Sequence, residues 1–95
     1  MIIPMTEKKL PEHGYIFKHS TRCPISSRAA EEVKDHEWKS PVYWVNVIEE
    51  RPMSDWVSKE TGVTHQSPQL LFFKDGKVVK TLSHSDICEE NFSGF

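Results

Sequence analysis

Tyr15-Ile16-Phe17-Lys18-His19-Ser20-Thr21-Arg22-Cys23-Pro24-Ile25-Ser26 decides how this 95-residue chain is read. The segment from Tyr15 to Lys18 is short and apolar, as a buried central strand would be, and from Pro24 onward the pattern turns helical. Between them stands Cys23, where a helix would begin. Proline is tolerated at the first helical position, because the N–H it lacks would have had no intrahelical partner. The partial positive charge of the first turn favours a thiolate over a thiol, so Cys23 is placed to be a nucleophile. Three residues on, where a C-x-x-C redox motif carries its resolving thiol, this chain has Ser26, which can hydrogen-bond the first sulfur but cannot form a disulfide with it. A redox cycle confined to the motif must be monothiol. Taken alone, the string also suits a small buried cysteine with a packing role.

Working outward, residues 24–37 put Ile25, Ala29 and Val33 at i, i+4 and i+8, with Arg28, Glu31, Glu32, Lys34 and Asp35 on the other faces. That spacing predicts an amphipathic helix lying on a sheet. Ser40-Pro41 stops it, and Val42 to Ile48 is dense in β-branched and aromatic residues, as in a strand buried on both faces and parallel to the first. Pro52 can open a second helix with Met53, Trp56 and Val57 facing inward and Gly62 capping its end. Pro68 then stands at the first residue of the apolar segment Leu70-Leu71-Phe72-Phe73, a position proline occupies only at strand starts, edges or special turns, and its Ser67–Pro68 bond is a candidate for the cis form. Leu70 to Lys74 and Lys77 to Leu82 flank Asp75-Gly76, a hairpin signal because both turn residues accept positive φ. Ser85-Asp86 can cap a last helical turn through Ile87 and Cys88. Residues 1–14 contain two prolines and four charged residues with little periodicity, and are expected to form an irregular arm.

With 37% hydrophobic residues, 27% charged residues and a formal net charge of −2, the composition predicts one soluble domain over residues 1–95. No basic excess points to nucleic acid or to an anionic membrane. No stretch approaches the length of a transmembrane helix, and Met1 to Met5 is too short for a signal-peptide core, so a cytoplasmic location is expected. Two cysteines far apart in a reducing compartment suggest transient chemistry rather than a structural bridge. No Cys or His spacing suits a tetrahedral metal site.

The order of parts, with a strand, a helix-capping cysteine, a second strand and helix, and then Ser-Pro leading into a hairpin, is that of the thioredoxin fold. Phe17-Lys18-His19-Ser20-Thr21-Arg22-Cys23-Pro24-Ile25-Ser26, His65-Gln66-Ser67-Pro68-Gln69 and Ser83-His84 together resemble the monothiol bacilliredoxin family, across roughly residues 13–88. The resemblance implies an α/β thioredoxin-like domain with a four-stranded mixed sheet flanked by helices and an abbreviated C-terminal helix. It implies a thiol–disulfide oxidoreductase that removes bacillithiol from S-bacillithiolated client proteins, with bacillithiol as co-substrate and no bound cofactor. Cys23 would be the nucleophile, with Pro24 and Ser26 completing its motif. Arg22, His65, Ser67 and Pro68 would contact substrate: Arg22 as a cation beside the thiolate, and Ser67 through a backbone that Pro68 leaves available to pair with a client chain. Two other readings stay open on the residues alone: a binding or adaptor module with an inert Cys23, and a monothiol-glutaredoxin-like protein that lends Cys23 to an iron–sulfur cluster. Cys88 is either a second thiol that resolves Cys23 or a small side chain under the terminal helix.

Overall fold

Alternation along one central strand divides the molecule into two layers. The computed structural model describes residues 2–92. In chain order these form β1 (Ile2–Pro4), β2 (His13–His19), α1 (Pro24–Asp35), β3 (Val42–Asn46), α2 (Arg51–Thr61), β4 (Gln69–Lys74) and β5 (Lys77–Ser83), followed by 3-10 turns at His84–Asp86 and Glu89–Asn91. Tyr15 and Phe17 of β2 point to one face and pack with Ala29, Ala30 and Val33 of α1, Val42, Leu70, Ile87 and Phe92. Ile16 points to the other face, with Met5, Val45, Val57 of α2, Leu71 and Phe73. Phe17, Ile16, Leu70 and Leu71 are wholly buried, and removing each such side chain from water contributes about 1.5–3 kcal/mol.

The sheet order is β1-β3-β2-β4-β5. β2 and β3 run parallel, as expected for strands joined through a helix. β4 is antiparallel to β2 and to β5. At the β4–β5 turn Asp75 and Gly76 both take positive φ, +56° and +76°, and the hairpin is the one predicted. A bulge between Phe72 and Phe73 shifts the register of the pair.

Five strands stand where four were expected. The difference is Ile2–Pro4, placed in an irregular arm by its sequence, which instead runs parallel to β3 at the sheet edge. Three residues are too few to show a strand period, and an edge is where a proline such as Pro4 is accommodated. Past it, the Met5 N–H donates to the Trp44 carbonyl at 3.0 Å. The helix predicted over 24–37 ends at Asp35, and its inward face is Ser26, Ala29, Ala30 and Val33. Ile25, expected on that face, is 48% exposed. α2 turns Ser54 and Val57 inward and ends at Gly62 in the left-handed conformation. The strand expected to reach Ile48 stops at Asn46, whose side-chain carbonyl accepts the N–H groups of Ile48 and Glu49 and turns the chain. In place of a closing helical turn, the two 3-10 turns set Ile87 and Phe92 against the α1 layer.

Candidate functional site

Cys23 is the N-cap of α1, in extended conformation, with Pro24 opening the helix and no acidic residue in the first turn. Its N–H donates to the Ser20 carbonyl at 3.3 Å, and its own carbonyl accepts from the Ser27 N–H at 3.0 Å. The thiol is half-buried and unbridged. A cysteine held at a helix N-terminus, reachable from solvent and without a neighbouring carboxylate in that turn, is suited to nucleophilic sulfur chemistry.

The loop that carries Cys23 is closed by Ser26, but not in the manner its sequence position suggests. Ser26 is wholly buried. Its hydroxyl accepts the Ser20 N–H at 2.8 Å and lies 2.8 Å from His19 Nδ1. Among the described residues no hydrogen bond joins Ser26 to the Cys23 sulfur, so the expected Ser–sulfur contact is replaced by a staple across the β2–α1 loop. His19 is set between Phe17 and Trp44. Burial, and then the Lys34 charge, hold its pKa below the usual histidine value, against an opposing contribution from Ser26. It is thus a neutral ring that orients the loop. Arg22, one residue before Cys23, is exposed.

Ser67, Pro68 and Gln69 lead into β4, antiparallel to β2. The Ser67–Pro68 peptide bond is cis and Pro68 is buried. The Pro68 carbonyl accepts the His84 N–H at 3.0 Å. Among the described residues no hydrogen bond engages the Ser67 backbone, and Ser67 Oγ is buried without a partner. His84 pairs through Nε2 with Gln66 Oε1 at 2.8 Å.

His65, expected to contact substrate, is exposed, and its ring also reaches toward β2 and α2. Its Nδ1 lies 3.3 Å from Lys18 Nζ and 3.3 Å from Ser54 Oγ, on the α2 side. Lys18 is wholly buried. Its ammonium also donates to the Ser54 carbonyl at 3.1 Å and to Ser58 Oγ at 2.6 Å. Burial lowers its pKa to about 8, with Asp55 opposing. Burial and the Lys18 charge likewise lower His65, with Asp55 opposing and Arg51 adding. The signal for Lys18 was in the sequence: it is the one charged residue in an apolar β2, on the same face as Ile16.

A groove of about 730 Å³ runs beside the site, with Pro24, Ile25 and Arg28 on one wall and His84, Ile87 and Cys88 on the other. Cys88 is a free thiol whose sulfur accepts from Asn91 Nδ2 at 3.4 Å. Its neighbour Glu89 meets His36, the C-cap of α1, at 3.6 Å. Among the described residues, no group of three or more His, Cys, Asp or Glu side chains is arranged to hold a metal ion. No described helix is long and apolar enough to cross a membrane.

A mixed sheet in this order, with a cysteine capping the helix after its central strand and a Ser-Pro turn opening the next strand, defines a thioredoxin-fold protein with a monothiol motif. Similar solved structures agree on the fold. A thioredoxin-fold protein provisionally assigned as an oxidoreductase is 28% identical, with a TM-score of 0.86 over 98% of this chain and 91% of its own. Mitochondrial thioredoxin 3 from Saccharomyces cerevisiae is 17% identical, with a TM-score of 0.66 over 90% of this chain and 86% of its own. A thioredoxin-like protein from Edwardsiella tarda is 14% identical, with a TM-score of 0.66 over 87% and 86%. The monothiol bacilliredoxin BrxC model matches residues 4–92, and the chain belongs to that family. Membership and fold together support a redox role.

Proposed function

We propose that this protein reduces mixed disulfides between client proteins and bacillithiol, with Cys23 as the nucleophile. The observation that carries the reading is Cys23 itself: half-exposed at the N-cap of α1, ahead of Pro24, with Ser26 in the place of a resolving thiol. The Cys23 thiolate attacks the bacillithiol sulfur of the client's mixed disulfide. The old S–S bond breaks, the client leaves as a thiolate that takes a proton from water, and Cys23 now carries the bacillithiol. A second bacillithiol thiolate attacks that same bacillithiol sulfur, which releases Cys23 as thiolate and yields bacillithiol disulfide. Each step exchanges one S–S bond for another. The unengaged Ser67 backbone supports docking of the client as an added strand, where main-chain hydrogen bonds would supply affinity.

The test is incubation with an S-bacillithiolated client followed by intact-mass measurement. One bacillithiol on Cys23, a reduced client and no reaction in Cys23→Ser are the expected results. A client that stays modified in the presence of folded protein and excess bacillithiol would overturn the proposal.

A further inference from the structure

Lys18 and Gln69 stand opposite each other in the β2–β4 register, and both are buried. Each reaches the segment that leads into Pro68. Lys18 Nζ meets His65 Nδ1 at 3.3 Å, and Gln69 Nε2 donates to the Thr64 carbonyl at 3.2 Å. Among the described residues, the backbone from Thr64 to Ser67 makes no backbone–backbone hydrogen bond. Loops of that kind keep a fixed course only when side chains hold them. Three acceptors surround Lys18 Nζ, namely the Ser54 carbonyl, Ser58 Oγ and His65 Nδ1, and three N–H donors are what an ammonium offers. With its ring proton on Nε2, a neutral His65 presents the Nδ1 lone pair to that ammonium. Gln69 Oε1 and Ser67 Oγ, on either side of Pro68, are buried without partners.

We infer that the cross-strand pair Lys18–Gln69 is a positioning device for client docking: it clamps residues 64 and 65 and thereby fixes the Ser67 backbone that a client strand would pair with. The inference rests on the docking role given to Ser67 in the proposed function. Lys18 and Gln69 touch neither the client nor the sulfur of Cys23. Their removal is expected to weaken docking and spare the chemistry.

Two variants separate this from a loss of folding. Lys18→Met removes the ammonium, and Gln69→Met removes the tie to Thr64 without leaving a charge unpaired. Each is expected to raise KM for a mixed-disulfide protein client about tenfold, with kcat within about twofold, as loss of a buried hydrogen bond would. The rate of Cys23 with a small aromatic disulfide, which needs no docked strand, is expected to stay within about twofold of wild type. Amides of residues 64–67 should lose order on the ps–ns scale, with 15N order parameters falling below about 0.6. If both variants fold with rigid 64–67 amides and unchanged KM, the inference is wrong. Equal losses with client and small disulfide would also overturn it, because the pair would then act on Cys23. Should wild type fail to turn over the client, the functional proposal falls, while the order parameters still decide whether the clamp exists.

Discussion

His19 Nδ1 lies 2.8 Å from Ser26 Oγ, joining the last residue of β2 to the first turn of α1 across the loop that carries Cys23. Because the same hydroxyl accepts the Ser20 N–H, one buried side chain fixes both ends of the loop. The course of the loop that carries Cys23 is therefore set by a pair that flanks it.

Ser26→Ala should leave the Ser20 N–H and the His19 ring without their partner. Leaving buried polar groups unsatisfied costs about 1–3 kcal/mol. Urea unfolding should show a lower midpoint at unchanged slope. An unchanged midpoint would mean that the staple contributes nothing to stability.

Ser26→Cys places a thiol three residues after Cys23, within one helical turn of it. Under mild oxidant the two sulfurs are expected to bridge, with a loss of two hydrogens in mass and of both free thiols. The new side chain must turn away from His19 to do so, and the ring signals of His19 should shift on oxidation. Two thiols that stay free would show that the loop holds this position too firmly against His19.

Gly14 has φ +154°, and a Cβ there would stand 2.8 Å from the Pro41 carbonyl oxygen, which also accepts the Tyr15 N–H. Gly14→Ala should therefore cost at least about 1–3 kcal/mol, by backbone strain and by displacement of the β2–β3 pairing. Gly62 has φ +71° but nothing within 4 Å of a built Cβ, so Gly62→Ala should cost only the left-handed penalty of about 1–2 kcal/mol. Thermal unfolding of the two variants tests the order.

Lys18 makes stability depend on alkaline pH. Its pKa is lowered in the native state to about 8 from an ordinary 10.5. Between those values the unfolded chain holds more protons, so stability rises with pH across that window. Tyr15, raised by burial, acts in the opposite direction above its ordinary value, which confines the test to pH below about 10. Lys18→Met should flatten the rise in urea midpoint measured upward from about pH 8. A slope that persists in the variant would assign the effect to another group.

His19 and His65 govern the acid side. Both are lowered in the folded protein, so as pH falls through the ordinary 6.5 the unfolded chain takes up protons first. The stability they contribute is complete above that value and is lost as pH falls toward their native values. His19→Asn, which keeps a polar partner for Ser26, should reduce the acid slope of the urea midpoint. An identical slope would assign it elsewhere.

Much of this site was legible because its signals are local. A proline after a cysteine, Asp75-Gly76 between apolar runs and Gly62 after a helical stretch each act within a few residues, and each marks the boundary it predicted. The inward face of α1 was shifted because periodicity alone does not distinguish Ile25 from Ser26 as the buried neighbour. Two hydrogen bonds to a loop drew in the serine. β1 was missed because it pairs with β3, some forty residues on, and nothing local marks three residues as a strand.

By itself, then, the sequence determined that Cys23 caps the first helix, which strands form the hairpin and which family the chain resembles, since capping, turn and motif chemistry are written in adjacent residues. Only the tertiary structure decided that Lys18 is buried beneath α2, that His65 faces Lys18, and that Ser26 serves the loop instead of the sulfur. Those contacts join residues 36, 47 and 7 positions apart. A side chain's partner at such separations is chosen by how strands and helices pack, because burial leaves each polar group only the acceptors that the fold brings within reach.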